Sequence, residues 1–197
     1  MVTNPIRIGI TGAHSTGKTT LLRRIEMELR AEGIRVARTG RLGKRAAGLG
    51  LPKMERHTAA STEWIIAQGI ADEIAAAQTA DVVLADRAVI DALAYWHAAL
   101  EFRGETIDPG DEERLRLLAA TQHAKYDLLL ATVLDPAAPV LERQHPYDPR
   151  YRELVDRRVH GLLVEDDIDH MRVTHDPHDE GQAVKTAARL ALQLVPA

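Results

Sequence analysis

The sequence contains no cysteine, few aromatic residues and no long apolar segment. The absence of cysteine excludes disulfide bonds, zinc–thiolate centres and a cysteine nucleophile. No stretch approaches the roughly 18 consecutive apolar residues that a membrane-spanning helix needs, so no membrane partner is expected. Residues 1–5 leave no space for a signal peptide before the first predicted strand, and we therefore expect a cytoplasmic protein.

The chain also lacks a positive net charge, because its formal net charge is −4 over 197 residues. A protein built to coat nucleic acid is usually strongly basic, so this balance does not favour a nucleic-acid partner. The length fits one domain with a substantial core, and we expect residues 1–197 to form a single domain. Since aromatic residues are scarce, Trp64, Tyr95 and Trp96 are candidates for stacking on a base, with core packing as the competing explanation.

Residues 12–19 read Gly-Ala-His-Ser-Thr-Gly-Lys-Thr, which matches the Walker A pattern GxxxxGK followed by Ser or Thr. Gly12 and Gly17 permit a tight backbone whose N–H groups surround phosphate oxygens at a helix N-terminus. Lys18 would bring an ammonium group to the β- and γ-phosphates, and Thr19 would offer a hydroxyl to Mg²⁺. The predicted nucleotide-binding residues are Gly12, Ala13, His14, Ser15, Thr16, Gly17, Lys18, Thr19 and Thr20.

The residues around this motif favour an α/β fold with a parallel sheet covered on both faces. Ile6, Ile8 and Ile10 alternate in a short strand before the motif, and apolar residues at spacings of three and four follow it. The later chain continues to alternate strand and helix patterns. Further strands are predicted at residues 35–38, 81–85, 128–134 and 171–174. Further helices are predicted from residue 61 or 62 to 79, at 89–102 and at 111–123. Another is predicted from the end of a loop at residue 151 to about residue 165, and the last at 181–194.

Asp86 and Arg87 follow the apolar strand at residues 81–85. A carboxylate at the end of such a strand is typical of the second element of a Walker A site, where it holds Mg²⁺. Arg87 stands where many ATPases place a glutamate that activates water, and its guanidinium suits a phosphate group. This pair favours phosphoryl transfer to a bound acceptor. The alternative is an Asp that caps the next helix beside an Arg in a surface ion pair.

Basic residues are concentrated between positions 34 and 56, with Glu55 as the only acid in that stretch. A charged run of this kind is either a solvated surface or an anion-binding segment, and both explanations remain open. Its position after the first strand and helix is where a phosphate-handling protein binds its second ligand. Arg41 and Arg45 are the residues of this stretch that we predict to contact an acceptor.

The Walker A segment, together with Asp86-Arg87 and with Asp91 and Tyr95 on the next helix, resembles the P-loop nucleoside and nucleotide kinases. This group includes thymidylate kinases, deoxynucleoside kinases and ribosylnicotinamide kinase-like AAA-domain proteins. The resemblance implies a three-layer sandwich around a five-stranded parallel sheet of order 2-3-1-4-5. It also implies ATP and Mg²⁺ as cofactors, with Thr19 and Asp86 as metal ligands.

The resemblance further implies an arginine-bearing lid at about residues 136–158, with Arg143 as its catalytic arginine. Lys18, Asp86 and Arg87 would complete the catalytic set. The acceptor would be a small-molecule nucleoside or nucleotide, bound by Arg41, Arg45, Trp64, Arg87, Asp91 and Tyr95.

The sequence departs from the deoxynucleoside kinases after the second strand, where those enzymes usually carry a glutamate as base. Residues 37–41 read Ala-Arg-Thr-Gly-Arg and contain no acid. Either Asp86 or Asp91 takes the role of base, or no base is needed. A phosphate monoester is already anionic near neutral pH, so the missing acid favours a nucleoside monophosphate as acceptor.

Three functions are therefore open at this point. The first is a kinase that moves the γ-phosphate of ATP to a nucleoside or, preferentially, a nucleoside monophosphate. The second is an ATPase or nucleotide-sensing switch that acts through a protein partner, and the third is a kinase of 5′-hydroxyl nucleic-acid ends. A homodimer is compatible with each of them.

Overall fold

Five strands form one parallel sheet in the computed structural model, which describes residues 5–137 and 148–194. The strands are β1 (Ile6–Thr11), β2 (Val36–Thr39), β3 (Val82–Asp86), β4 (Leu128–Thr132) and β5 (Met171–Val173). Their order is β2-β3-β1-β4-β5, and every pairing is parallel. The predicted fold class and strand order are confirmed.

Seven α-helices and one short 3-10 helix surround the sheet in the described residues. The helices are α1 (Lys18–Ala31), α2 (Leu42–Gly48), α3 (Ala59–Ala76), α4 (Ile90–Arg103), α5 (Pro109–His123), α6 (Pro149–Glu165) and α7 (Pro177–Leu194). The 3-10 helix spans Met54–Arg56, between α2 and α3. None of the helices in these residues combines the length and apolar character needed to cross a membrane.

Alternating side chains of the central strands divide the core into two apolar clusters. Ile8 and Ile10 of β1 and Leu130 of β4 pack with α1 and α7 on one face of the sheet. Leu129 and Ala131 of β4 belong to the cluster formed with α3, α4, α5 and α6 on the other face. Burial of apolar surface on both faces stabilises the three layers and explains why β3 and β4 read as continuous apolar runs.

The helix α4 is buried along most of its length, from Ile90 to Leu100. It packs against α6, against α3 and against the 3-10 helix, so apolar residues occur all round it and not along a single stripe. This helix begins shortly after Asp86, at the carboxyl end of β3. Its first turns therefore lie at the sheet edge where the Walker A segment begins.

Several predicted boundaries were wrong because local capping contacts decide where a helix begins. Helix α3 is capped by Thr58, whose hydroxyl accepts the N–H of Ser61, and not by Ser61 or Thr62. Helix α5 is capped by Asp108, which accepts the N–H of Asp111 and precedes a proline at the first helical position. Helix α7 begins at Pro177, four residues before the predicted start.

The basic stretch at residues 34–56 contains the short helix α2, which is not among the predicted helices. This helix buries only Leu42 and Ala46, and its N-terminus has no side-chain cap. Its contacts with α3 include Leu42 close to Gly69, where a Cβ atom would lie 3.2 Å from Leu42 Cδ1. Packing against α3 therefore supports a helix whose sequence carries little helical signal.

Candidate active site

The backbone of residues 12–17 forms a tight turn between β1 and α1, which we name the nest. Gly17 takes a left-handed conformation with φ of 82° and precedes α1 directly. Gly12 has φ of 142°, and a Cβ atom there would lie 2.1 Å from Thr132 Oγ1. Glycine is required at position 12 both by this conformation and by the close approach of β4. The N-terminal amides of α1 then supply a positive end for a phosphate ligand.

The ammonium group of Lys18 is folded onto this nest. Lys18 is 5% exposed, and its Nζ donates hydrogen bonds to the carbonyl oxygen of Gly12 at 2.8 Å and to that of Ala13. Burial, and then the nearby Arg87 guanidinium, lower the pKa of Lys18 to about 7, against the opposing effect of Asp91 and Asp86. Two carbonyl acceptors are weak partners for a buried cation, so a phosphate anion would be a much better one.

Asp86 lies beside Thr19, as their positions in the sequence predicted. The Thr19 hydroxyl donates to the Asp86 carboxylate, with Oγ1 at 2.9 Å from Oδ2 and 3.2 Å from Oδ1. Parallel pairing of β1 with β3 sets Asp86 opposite Ile10, next to the nest. A hydroxyl and a carboxylate oxygen are ligands that suit Mg²⁺, which commonly completes its shell with water and phosphate oxygens. The described residues contain no cluster of three or more His, Asp or Glu side chains for a metal.

Asp91 connects the nest with the start of α4. Its Oδ1 accepts the Thr11 hydroxyl and, at 3.0 Å, the backbone N–H of Gly12. Its Oδ2 lies 3.8 Å from Nη1 of Arg87. Burial raises the pKa of Asp91, while Lys18, Arg87 and these hydrogen bonds act in the opposite direction. We infer that the carboxylate stabilises the turn into the nest and balances two neighbouring cations.

Arg87 is held above the ring of Tyr95, with Cζ at 5.2 Å from the ring centroid. Its backbone has φ of 92°, which is rare for a residue other than glycine. Arg41, at the start of α2, also takes a left-handed conformation, with φ of 59°. Strained conformations of this kind tend to occur at binding sites, where surrounding structure compensates for them.

Two adjoining depressions open at this edge of the sheet. The first, which we name the inner cavity, has a volume of about 250 Å³. Its lining consists of Arg41, Leu42, Gly43, Lys44, Lys53, Met54, His57, Ile65, Arg87, Ala88, Val89, Asp91, Ala92 and Tyr95. The second, the outer cleft, has a volume of about 380 Å³. It is lined by Thr19, Arg23, Arg38, Thr39, Gly40, Arg41, Asp86 and Arg87. Arg41 and Arg87 belong to both.

Two histidines that the sequence did not single out for separate roles are buried near these depressions. His57 lines the inner cavity, and its Nδ1 lies 3.2 Å from the Thr62 hydroxyl. Burial, with Arg87 and Arg103 nearby, lowers the pKa of His57 to about 4. His14 packs near Tyr95 and Tyr151, and burial, followed by Arg87, Lys18 and Arg152, lowers its pKa to about 3. Both rings are therefore neutral at physiological pH.

The predicted lid arginine Arg143 lies outside the described residues, as do residues 138–147 of the predicted lid. Another arginine, Arg152 of α6, contacts the nest: it donates to the carbonyl oxygens of His14 and Ser15. Arg152 lies within the predicted lid of residues 136–158, but nothing in its sequence neighbourhood distinguished it from the other arginines there.

Two residues predicted to bind the acceptor lie away from the inner cavity and the outer cleft. Arg45 pairs with Asp72 of α3 on the surface, and Trp64 is half-buried on α3. Neither residue contributes to the lining of the two depressions. The other predicted acceptor residues, namely Arg41, Arg87, Asp91 and Tyr95, converge on the inner cavity.

The nest, the buried lysine and the Thr19–Asp86 pair define a P-loop nucleotide-binding domain. Residues 7–180 match the AAA domain family, and the chain belongs to that family. The resemblance to P-loop nucleoside and nucleotide kinases that the sequence predicted is confirmed at this level. No curated protein matches the chain.

Solved structures of NadR protein share the fold. One, in complex with NAD and AMP-PNP, aligns with a TM-score of 0.68 at 17% identity, covering 98% of this chain and 51% of the NadR chain. Another, in complex with NR, aligns with a TM-score of 0.63 at 16% identity, covering 98% of this chain and 52% of the other. This chain thus spans about half the length of these relatives.

Proposed function

We propose that this protein is an ATP-dependent phosphotransferase that moves the γ-phosphate to a nucleoside or, preferentially, a nucleoside monophosphate. The observation that carries the proposal is the sharing of Arg41 and Arg87 between the inner cavity and the outer cleft. A ligand in the inner cavity would meet the outer cleft, whose lining includes Thr19 and Asp86, at Arg41 and Arg87. Donor and acceptor could then approach each other with cations on both sides of the transferred group.

The roles of the donor-side residues follow from their positions. The nest amides and Lys18 would bind the triphosphate, and Thr19 with Asp86 would hold Mg²⁺. The bound ion would supply positive charge to the phosphate oxygens. Lys18 would add charge that is buried, and therefore weakly screened by water, and Arg87 would add charge from a half-buried position. Structures of NadR protein, one in complex with NAD and AMP-PNP and another in complex with NR, support binding of small nucleotide-like ligands on this fold.

The surroundings of the two carboxylates support an acceptor that is already anionic. Asp86 is engaged by Thr19, and Oδ1 of Asp91 is engaged by Thr11 and Gly12. An alcohol acceptor benefits from a base within reach, whereas a phosphate monoester does not need one. The inner cavity also has four basic residues in its lining, Arg41, Lys44, Lys53 and Arg87.

The basic stretch at residues 34–56 gives less support to a kinase of nucleic-acid ends. Three arginines of this stretch have acidic partners. Arg35 pairs with Asp81, and Arg45 pairs with Asp72. Nη1 of Arg38 lies 3.5 Å from Oε2 of Glu26. These partners offset part of the positive charge that a nucleic-acid backbone would need. An ATPase switch would not require the inner cavity, so the cavity favours an acceptor.

Steady-state turnover on a panel of nucleosides and their monophosphates, with ATP and Mg²⁺, tests the proposal. We expect one or a few monophosphates to raise ADP production well above the rate without acceptor. Arg87→Met should raise the KM for that acceptor by roughly 10- to 100-fold, because a charged phosphate contact is lost from a half-buried site. Arg157→Met, on an exposed face of α6, serves as the control.

Activity confined to unphosphorylated nucleosides would reject the preference for a monophosphate acceptor, but it would still support a nucleoside kinase. Hydrolysis of ATP at the same rate with and without every acceptor would reject the kinase and favour the switch. Phosphorylation of oligonucleotide ends, weakened by salt, would favour the third function.

Binding of ATP is expected to take up a proton near pH 8. In the free protein the pKa of Lys18 is lowered to about 7, so its amine is largely neutral at pH 8. A phosphate anion beside Lys18 would favour the ammonium form and raise that pKa. Calorimetry of ATP binding in buffers with different ionisation enthalpies should show an uptake at pH 8 that disappears below about pH 6. The uptake should be absent in Lys18→Met, and its persistence there would assign it to another group.

A further inference from the structure

The guanidinium group of Arg152 is buried against the outside of the phosphate-binding nest. Arg152 is 5% exposed; its Nε donates to the carbonyl oxygen of His14 at 3.1 Å and its Nη2 to that of Ser15 at 3.0 Å. Among residues 5–137 and 148–194, no carboxylate forms an ion pair with Arg152. Burial lowers its pKa, although an arginine keeps its charge at any physiological pH. A buried cation is therefore held by two consecutive main-chain carbonyl groups.

These two hydrogen bonds fix the orientation of the peptide groups that form the nest. In a trans peptide the C=O and N–H bonds point in opposite directions. Arg152 holds the carbonyl groups of His14 and Ser15, so the N–H groups of Ser15 and Thr16 are directed away from it. Those two amides are members of the nest predicted to surround the phosphates.

The residue between the two held peptide groups is also the strained one. Ser15 has φ of 59°, a left-handed conformation that residues other than glycine rarely adopt. Alternation of right- and left-handed residues is what makes successive N–H groups converge on an anion. A contact that pins the peptide on each side of Ser15 would keep this conformation populated when no ligand is bound.

We propose that Arg152 is a positioning residue that shapes the nest for the β-phosphate of the bound nucleotide. It acts through the backbone of His14 and Ser15 and adds a buried positive charge behind the amides. The inference rests on the proposed binding of a nucleoside triphosphate. The opposing assignment is an arginine that leaves the backbone and contacts the γ-phosphate directly.

The two roles differ in how ADP and AMP-PNP respond to a change at position 152. A residue that shapes the nest strengthens the binding of both ligands, because both carry a β-phosphate. A residue that contacts the γ-phosphate strengthens the binding of AMP-PNP alone. Calorimetric Kd values for ADP and for AMP-PNP, each with Mg²⁺, therefore separate them. The proteins to compare are the unaltered chain, Arg152→Met, Arg152→Lys and the control Arg157→Met, in which an exposed arginine that pairs with Glu101 is replaced.

We expect Arg152→Met to raise the Kd values for ADP and for AMP-PNP by the same factor, about 30-fold, because two hydrogen bonds from a charged group are lost. Arg152→Lys should weaken both by a smaller common factor, since it keeps the charge but not the planar fork. The KM for ATP should rise by about the same factor as the Kd, and kcat should fall by a smaller factor. Arg157→Met should bind both ligands normally.

Weaker binding of AMP-PNP alone would overturn the proposal in favour of a direct γ-phosphate contact. Unchanged Kd values together with a lower Tm would assign Arg152 a purely structural role. If Arg152→Met fails to fold, the ratio of the two Kd values in Arg152→Lys decides between the same outcomes. Failure of the unaltered chain to bind either nucleotide would reject the proposed function itself, a result distinct from any of these.

Discussion

Replacing Lys18 with methionine is expected to lower kcat for phosphoryl transfer by about 10³-fold, the scale found when one preorganised charge is removed from a transition state. The ammonium group lies in a buried position at the nest, where its field is weakly screened by water. Charge that develops on the transferred phosphoryl group would therefore lose a strong stabilising partner. Nucleotide affinity should fall as well, because the same group faces the phosphates in the ground state.

Methionine is a suitable replacement because it fills a similar volume without a charge. The lost hydrogen bonds to Gly12 and Ala13 join a cation to carbonyl groups, and their removal also removes the cost of a buried charge. We therefore expect the Tm of the free protein to be unchanged or higher. Lys185→Met, at an exposed position of α7, is the control for a change of one charge. An unchanged kcat in Lys18→Met would show that the nest does not hold the reacting phosphates.

The features that the sequence predicted correctly depend on short-range patterns. Strand β1, the nest and helix α1 lie within 26 consecutive residues of the chain, from Ile6 to Ala31. The neighbouring position of Asp86 was also predictable, because a carboxylate after a buried parallel strand lies at the same edge as the Walker A segment. The contact between Thr19 and Asp86 bears out that reasoning.

The features that were missed depend on contacts between distant parts of the chain. The hydrogen bond from Arg152 to the carbonyl oxygen of His14 joins two residues that are 138 positions apart in the sequence. His57 reaches the inner cavity only because the 3-10 helix packs on α4. Arg45 looked like an acceptor ligand in a basic stretch, yet Asp72 on α3 provides a partner for it. Periodicity and composition carry no information about such pairs, because the tertiary packing that creates them overrides local preference.

Replacing Asp86 with asparagine is expected to lower kcat by about 10³-fold and to raise the Mg²⁺ concentration needed for half-maximal activity. The substitution is nearly isosteric, and an amide oxygen can still accept the hydrogen bond from Thr19. The fold and the outer cleft should therefore be kept, while the negative charge that would hold the metal is lost. Mn²⁺ generally binds such sites more tightly than hard, strongly hydrated Mg²⁺, so it should restore part of the activity.

Asp81→Asn is the matched control, because Asp81 immediately precedes the same strand and pairs with Arg35 at the opposite edge of the sheet. It should leave kcat and the metal dependence unchanged, since only a surface ion pair is lost.

A second discriminating measurement is the affinity for ATP without metal. This affinity should not fall in Asp86→Asn, because a repulsive carboxylate has been removed from beside the phosphates. If Asp86→Asn instead retains the metal dependence of the unaltered chain and loses only ATP affinity, Asp86 orients Thr19 and does not hold the ion. In that case the Thr19 hydroxyl and the phosphates would have to carry the metal without a carboxylate from the chain.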